Sequence, residues 1–459
     1  MSPTPVPAPC DTLVHGAHLV VDRDLEIPGG WIALRDGRVA AVGGPADPLP
    51  AAAARIDAGG RLVTPGLINT HHHMYQNLTR AYAPAINGSL FDWLTALYPV
   101  WAQLDVDDVE VSTYVAIVEL LMGGCTTSSD HLYVHPRPGF LDAQVRAART
   151  LGFRFVATRG SMTRSVEDGG LPPASVVQDH DTIMADAEAA IAAHHDPAPG
   201  AMTRVALAPC SPFSVSERIM VSSAELSERT GVRLHTHLAE DHDEDDYCAE
   251  VYGCRPVEYL ERVGWAGERT WLAHFIYPSE EEVARLGRAG VGATQCPSSN
   301  MMIGHGTMDA LRWRELGLTV GLGCDGSAST DSASMWMETR NALLLGRLRN
   351  GPASMRARDA LDLATRGSAA CLGWEDEIGH LRPGACADLV VWETHPVALA
   401  GALTDPVEGW LRTGPARAWH TLVAGRVLVR DGEPVAPALA EVLTAHRRAA
   451  ERLQAAALG

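Results

Sequence analysis

The chain has 459 residues, 46% of them apolar, which is enough for a large buried core. Acidic residues outnumber basic ones, 56 to 37, and the formal charge of −19 argues against a nucleic-acid or anionic-membrane partner. All 37 basic residues are arginine, so Schiff-base chemistry, a P-loop lysine and a lysine-derived metal bridge are excluded.

The start, "MSPTPVPAPCDT", has neither a basic segment nor an apolar core of the kind a secretory leader carries. No uncharged apolar run reaches the roughly 18 residues of a membrane span. The nine cysteines are odd in number and form no CxxC pair. Cys125, Cys210, Cys296 and Cys324 fall in apolar runs and read as small core residues of a reducing compartment. A cytoplasmic protein is expected.

Residues 11–62 alternate short β-branched runs with glycine turns, as in "GGWIALRDGRVAAVGG". The far end repeats the style in "GACADLVVWE" and "AWHTLVAGRVLVRDGEPV". The two ends are expected to pair as one small β-sandwich domain, 1–62 plus 384–435. The stretch 63–383 between them alternates apolar runs with helix-like segments such as 107–123 and 279–289. Eight strand-like runs can be counted: 62–71, 125–134, 153–161, 204–211, 232–240, 270–276, 291–298 and 319–327. Eight β/α units predict a closed (β/α)8 barrel, with chemistry at the C-terminal ends of its strands. The last segment, 436–459, predicts an amphipathic helix on the surface.

Titratable residues gather where those runs end. The first ends in His71-His72-His73, the fifth in "HTHLAE" (His235, His237, Glu240), the sixth in His274, and the eighth in Asp325 of "GLGCDGSAS". A single strand-end histidine is more often structural than functional. Four strands ending this way point to a metal site. Strand side chains alternate faces, so His71 and His73 can face one ion while His72 turns away. A catalytic mononuclear zinc site uses a few protein ligands and keeps a position for water. His71, His73, His237 and Asp325 are the expected ligands, with His235 deeper in its strand as a supporting residue. The acidic run "DHDEDD" reads as a solvated loop.

"PGLINTHHH", "HTHLAE", "LAHF" and "GCDGSAS", in this order on a barrel flanked by a two-ended β domain, resemble the amidohydrolase superfamily over essentially the whole chain. The missing lysine makes it similar to the mononuclear deaminase and chlorohydrolase branch. The resemblance implies one divalent metal, zinc or else iron, and a small heterocyclic substrate in a homo-oligomeric enzyme. It also implies that Asp325 handles the proton of the attacking water, Glu240 protonates a ring nitrogen and His274 steers the attack. "NTHHHMYQNLTRAY", "TTSSDHLYVHP" and "RGSMTRSVEDGGLPP" resemble deaminases of oxidised purines such as 8-oxoguanine. Guanine and pterin deaminases stand close, as do hydrolases that remove chloride or an amine from an s-triazine ring.

Substrate contacts are expected from Gln76, whose amide both donates and accepts, from Trp93 over a flat ring, and from Tyr133, Arg159 and His305 at or after strand ends. His131 is a further strand-end histidine. The loop over 162–173 is long and marked by Gly and Pro, as a lid would be. The HxE…PCxxC and HExxH zinc signatures are absent.

Overall fold

The computed structural model describes residues 8–393 and 397–458. The first seven residues, read above for a leader, lie outside that range. Among the described residues, seventeen strands form two sheets.

The first sheet is built from both ends of the chain. It contains β1 (Cys10–Asp22), β2 (Leu25–Arg35), β3 (Arg38–Gly43), β4 (Ala52–Asp57) and β5 (Leu62–Pro65). After the second sheet the chain returns to it, past strands β6 to β13 described below, with β14 (Leu389–Trp392), β15 (Ala418–Val423), β16 (Arg426–Arg430) and β17 (Glu433–Pro434). The join is β5, which pairs with β1 on one side and antiparallel with β14 on the other. Instead of two separately bonded layers, one continuous nine-stranded sheet curls until Arg38 bridges Cys386. Its concave face buries Val14, Leu19, Ile32, Val63, Leu389, Val391 and Leu422, an apolar core of its own.

The second sheet is the barrel. β6 (Leu67–Asn69), β7 (Cys125–Leu132), β8 (Arg154–Ser161), β9 (Thr203–Pro209), β10 (Arg233–Leu238), β11 (Thr270–His274), β12 (Gly292–Gln295) and β13 (Thr319–Leu322) pair in parallel in chain order. All eight expected runs overlap one of them. The first run divides, its front half going to β5 and only Leu67–Asn69 entering the barrel. Closure is made by Thr70, whose N–H donates to Leu322 O at 3.0 Å. Parallel strands covered by helices need apolar side chains on both faces, which explains the unbroken runs.

Helices begin where the sequence offers caps. Asp105 and Asp108 form a reciprocal capping box for Val106–Met122, and Ser279 and Glu282 do so for Glu280–Arg288. The helix Leu439–Leu458 lies against the barrel's own first loop: Arg452 pairs with Asp108, and Gln454 Nε2 donates to Leu78 O at 2.8 Å. Among the described residues, no helix is long and apolar enough to cross a membrane.

One buried ion pair ties the barrel to the terminal sheet. Arg154 Nε of β8 donates to Asp388 Oδ2 at 2.8 Å, and both side chains are at most 2% exposed. Removing one partner would leave a sealed, uncompensated charge. Asp388→Ala is expected to lower unfolding stability by about 3–5 kcal/mol in urea titrations. A loss near zero would show that the pair does not couple the two sheets.

Candidate metal centre and active site

Every strand-end group named from the sequence, except Arg159, sits at the C-terminal mouth of the barrel. Backbone geometry helps to aim them. Ala239, His274, Phe275 and Asp325 all have positive φ, from 45° to 67°. Non-glycine residues adopt this region at a cost, and such strain clusters at functional sites. Here it lies just past the ends of β10, β11 and β13, where the chain bends sharply so that Glu240, His274 and Asp325 face inward.

The imidazoles are oriented from behind. His73 Nδ1 lies 2.7 Å from His131 O, and His237 Nδ1 lies 2.7 Å from Cys210 O. A carbonyl can only accept, so both Nδ1 atoms carry a proton, and in the neutral imidazoles both Nε2 atoms present a lone pair. The same reasoning passes through His235. Its Nδ1 donates to Trp271 O at 2.8 Å, so its Nε2 accepts from His71 Nδ1, also at 2.8 Å. His71 Nε2 is therefore a third lone pair, and it is buried without a hydrogen-bond partner.

These three atoms face one carboxylate. His71 Nε2 and His73 Nε2 are each 3.2 Å from Asp325 Oδ1, and His237 Nε2 is 3.2 Å from His73 Nε2. With the imidazoles neutral, four acceptors this close repel one another unless a cation lies between them. Three nitrogens and one oxygen form a donor set suited to a divalent transition metal such as zinc. His72 turns away as alternation requires: its Nδ1 accepts from the His73 N–H. Burial drops its pKa to about 3.

His131 Nδ1 also lies within reach of this group. Its Nε2 is taken by Ala208 O at 2.9 Å, and its ring stacks on His237. It packs beneath the cluster and props His237.

A second constellation adjoins the first. Glu240 Oε1 is 3.4 Å from His274 Nε2 and 3.1 Å from His305 Nδ1. Burial opposes its charge, but His274 and His305 hold it down at about 2. The pKa of His305 rises in turn: burial opposes it, but Glu240 prevails. The one proton of this pair therefore sits on His305. Asn300 Nδ2 lies 3.1 Å from His274 Nδ1, and Ser299 Oγ donates to Asp325 Oδ2 at 2.6 Å. These two partners went unnoticed in the sequence. They sit on the short helix Pro297–Ile303 after β12, where "PSSN" carries no strand-like period.

A narrow cavity opens onto both groups. It is lined by Gln76, Trp93, Tyr133, Phe213, Glu240 and Ile303. Both amide atoms of Gln76 are buried and unpartnered. A side chain at Gly326 would strike them, since a Cβ there would lie 1.7 Å from Gln76 Oε1. Trp93 is fixed by a 3.1 Å hydrogen bond from its Nε1 to Ala328 O. His305 meets Glu240 and does not line the cavity.

Arg159 is a correction. Its Nε donates to Asp186 at 3.0 Å and its Nη2 to Gln178 at 2.8 Å, outside the barrel. It pairs across the sheet with Leu132, whereas inward-facing His131 pairs with Thr158. Paired residues share a face, so Arg159 points to the helices and away from the cavity.

The pattern matches one family. The family model for the amidohydrolase family matches residues 62–426. The chain belongs to this amidohydrolase family. Among its relatives is the 8-oxoguanine deaminase of Pseudomonas aeruginosa, 46% identical, with 92% of this chain and 95% of that protein covered. The hydroxydechloroatrazine ethylaminohydrolase of Pseudomonas sp. strain ADP is 36% identical, covering 92% and 91%. The solved structure of atrazine chlorohydrolase from Arthrobacter aurescens TC1, complexed with zinc, superposes with a TM-score of 0.90 at 30% identity, covering 96% of this chain and 100% of that one.

One further buried acid lies behind the centre, accepting from the Ser298 N–H at 2.9 Å. Glu338 is fully buried, its Oε1 has no partner, and burial raises its pKa to about 8. The folded state thus holds a proton that the unfolded chain releases near the ordinary glutamate range of about 4.3. Stability contributed by this group is complete below that range and is lost as pH rises towards 8. Glu338→Gln is expected to flatten that decline in denaturant midpoints measured from pH 5 to 9. An unchanged pH profile would contradict the assignment.

Proposed function

We propose that the chain is a metal-dependent hydrolytic deaminase of an aminated purine-like heterocycle, with 8-oxoguanine as the preferred substrate, giving urate and ammonia. The observation that carries this reading is the pairing of a cation-requiring acceptor cluster with Glu240, beside a cavity whose amide reader, Gln76, is unsatisfied. The relative at 46% identity supports the purine. A hydrolase of s-triazine chloride or amine substituents is the alternative, favoured by the zinc-bound chlorohydrolase structure.

His71, His73, His237 and Asp325 would hold one divalent ion, zinc or else iron. When bound, it would polarise the reacting centre and lower the pKa of an attacking water towards neutrality. The remaining steps belong to side chains. Asp325 takes a proton from the attacking water and passes it to the departing amine. Glu240, fed by the proton held on His305, protonates the ring nitrogen beside the carbon under attack. That draws charge from the carbon as the tetrahedral species forms. His274, 3.8 Å from Asp325 Oδ2 and fixed from behind by Asn300, directs the attacking oxygen. As the carbonyl forms, the added hydroxyl returns a proton to the Glu240–His305 pair, and ammonia leaves. Gln76 reads the lactam edge of the ring and Trp93 with Tyr133 covers its face.

The cavity as it stands holds only about 30 Å³, room for about two waters. A bicyclic ring therefore enters only when the covering residues, among them Leu90, Trp93, Phe213 and Ile303, move; the 162–173 loop, expected from its sequence to act as a lid, contributes no residue to the cavity lining.

Incubation with 8-oxoguanine, guanine, isoxanthopterin and hydroxyatrazine, followed by ammonia release, decides the substrate. Turnover is expected to be fastest with 8-oxoguanine, and absence of ammonia from every aminopurine would overturn the deaminase reading. Glu240→Gln should keep the metal and lose about 10²–10⁴-fold in turnover. His71→Ala should lose the metal while His72→Ala retains it, as read by metal analysis of the purified variants. Metal loss in both, or in neither, would contradict the ligand set.

A further inference from the structure

The opposite end of the barrel holds a second constellation that the chemistry above does not use. A cavity of about 220 Å³ opens at the N-terminal ends of β8 to β11. Its walls include Val156, Trp271 and Leu372, and its polar lining includes Arg204, Arg233, Arg269 and His195. This face of a barrel ordinarily serves stability, and three guanidinium groups around one void are costly there without partners.

Their partners fall short. Arg204 is partnered on one edge only: it lies 3.1 Å from Glu377 Oε1, donates to Gly373 O at 3.0 Å, and rests over the Trp374 ring at 4.2 Å, while its buried Nε has no partner. Arg269 has one hydrogen bond, from Nε to Ser227 Oγ at 3.1 Å. Arg233 has neither a hydrogen bond nor an ion pair among the described residues, and its Nε is sealed from solvent. Burial lowers its pKa, and Glu375 and Glu268 pull only from a distance. Glu377 is already shared between Arg204 and Arg38. A chain of net charge −19 that leaves a half-buried arginine unpaired at a cavity has placed it there against the general balance.

We propose that this basal cavity is an anion-binding site for a small oxyanion, with Arg233 as the principal donor, assisted by Arg269 and the free edge of Arg204. A guanidinium presents two parallel N–H groups that match the oxygens of a phosphate or carboxylate. The void is large enough for such an ion and a few waters. Trp271 forms its roof and stacks on His235, ring centres 4.4 Å apart, so a bound anion sits one aromatic ring below the support of His71.

The test is calorimetric titration of the metal-loaded protein with inorganic phosphate and, separately, acetate, at constant ionic strength set with chloride. One saturable site is expected for phosphate. Tighter phosphate than acetate would mark a dianion site, and the reverse a carboxylate site. Arg233→Gln and Arg269→Gln should each weaken binding roughly tenfold or more, the scale of one charge-assisted hydrogen bond, while turnover persists. If Arg233→Gln fails to fold, Arg269→Gln alone carries the test, because it gives up only the Ser227 contact. Glu240→Gln should bind phosphate as the unaltered protein does. The proposal is overturned by absence of saturable binding, by affinity unchanged in the foldable arginine variants, or by displacement of the anion with an active-site ligand, which would place it at the barrel mouth.

Discussion

Four lone-pair acceptors meet at the barrel mouth, and the surrounding structure is arranged so that none can escape by taking a proton from a neighbour. Each imidazole has its other nitrogen tied to a backbone carbonyl, directly for His73 and His237 and through His235 for His71. Those ties fix tautomer and orientation before any ion arrives, the role outer-shell partners play in metal sites. Because the carbonyls belong to strands and to residues beside them, the barrel itself is the orienting device. The sharp left-handed bends at His274 and Asp325 then bring groups from β11 and β13 to the same point.

The remaining architecture serves that point at a distance. The closure at Thr70 sets the residue just before the first histidine. The helix Leu439–Leu458 braces Asn77 and Leu78, the residues just past Gln76, through His446 and Gln454. The curled terminal sheet is locked to the barrel by Arg154 and Asp388. The result is a braced constellation beneath a cavity too small for its proposed substrate, so binding of that substrate requires the cover to move.

The strands and the histidine pattern were legible because both rest on short-range rules. Apolar runs between helix-like segments announced eight β/α units, and alternation separated His72 from its neighbours. Reading fails where position depends on the third dimension. Arg159 ends its strand-like run, but only its pairing with Leu132 shows that it turns outward. His305 lies after a short helix, so nothing in its spacing announces that it reaches Glu240. Ser299 and Asn300 are ordinary residues of a short helix until the fold sets them against Asp325 and His274. Arg233 precedes His235 and His237 on the same strand face and was overshadowed by them. Its lack of a partner is visible only once the base of the barrel is closed.

The proposed chemistry depends on one cation completing the acceptor cluster. The most direct measurement is stepwise titration of the metal-free protein with zinc, following ammonia release and bound metal together. One equivalent per chain is predicted to restore full turnover, with no further gain from a second. Turnover by the metal-free protein, or a requirement for two equivalents, would contradict it.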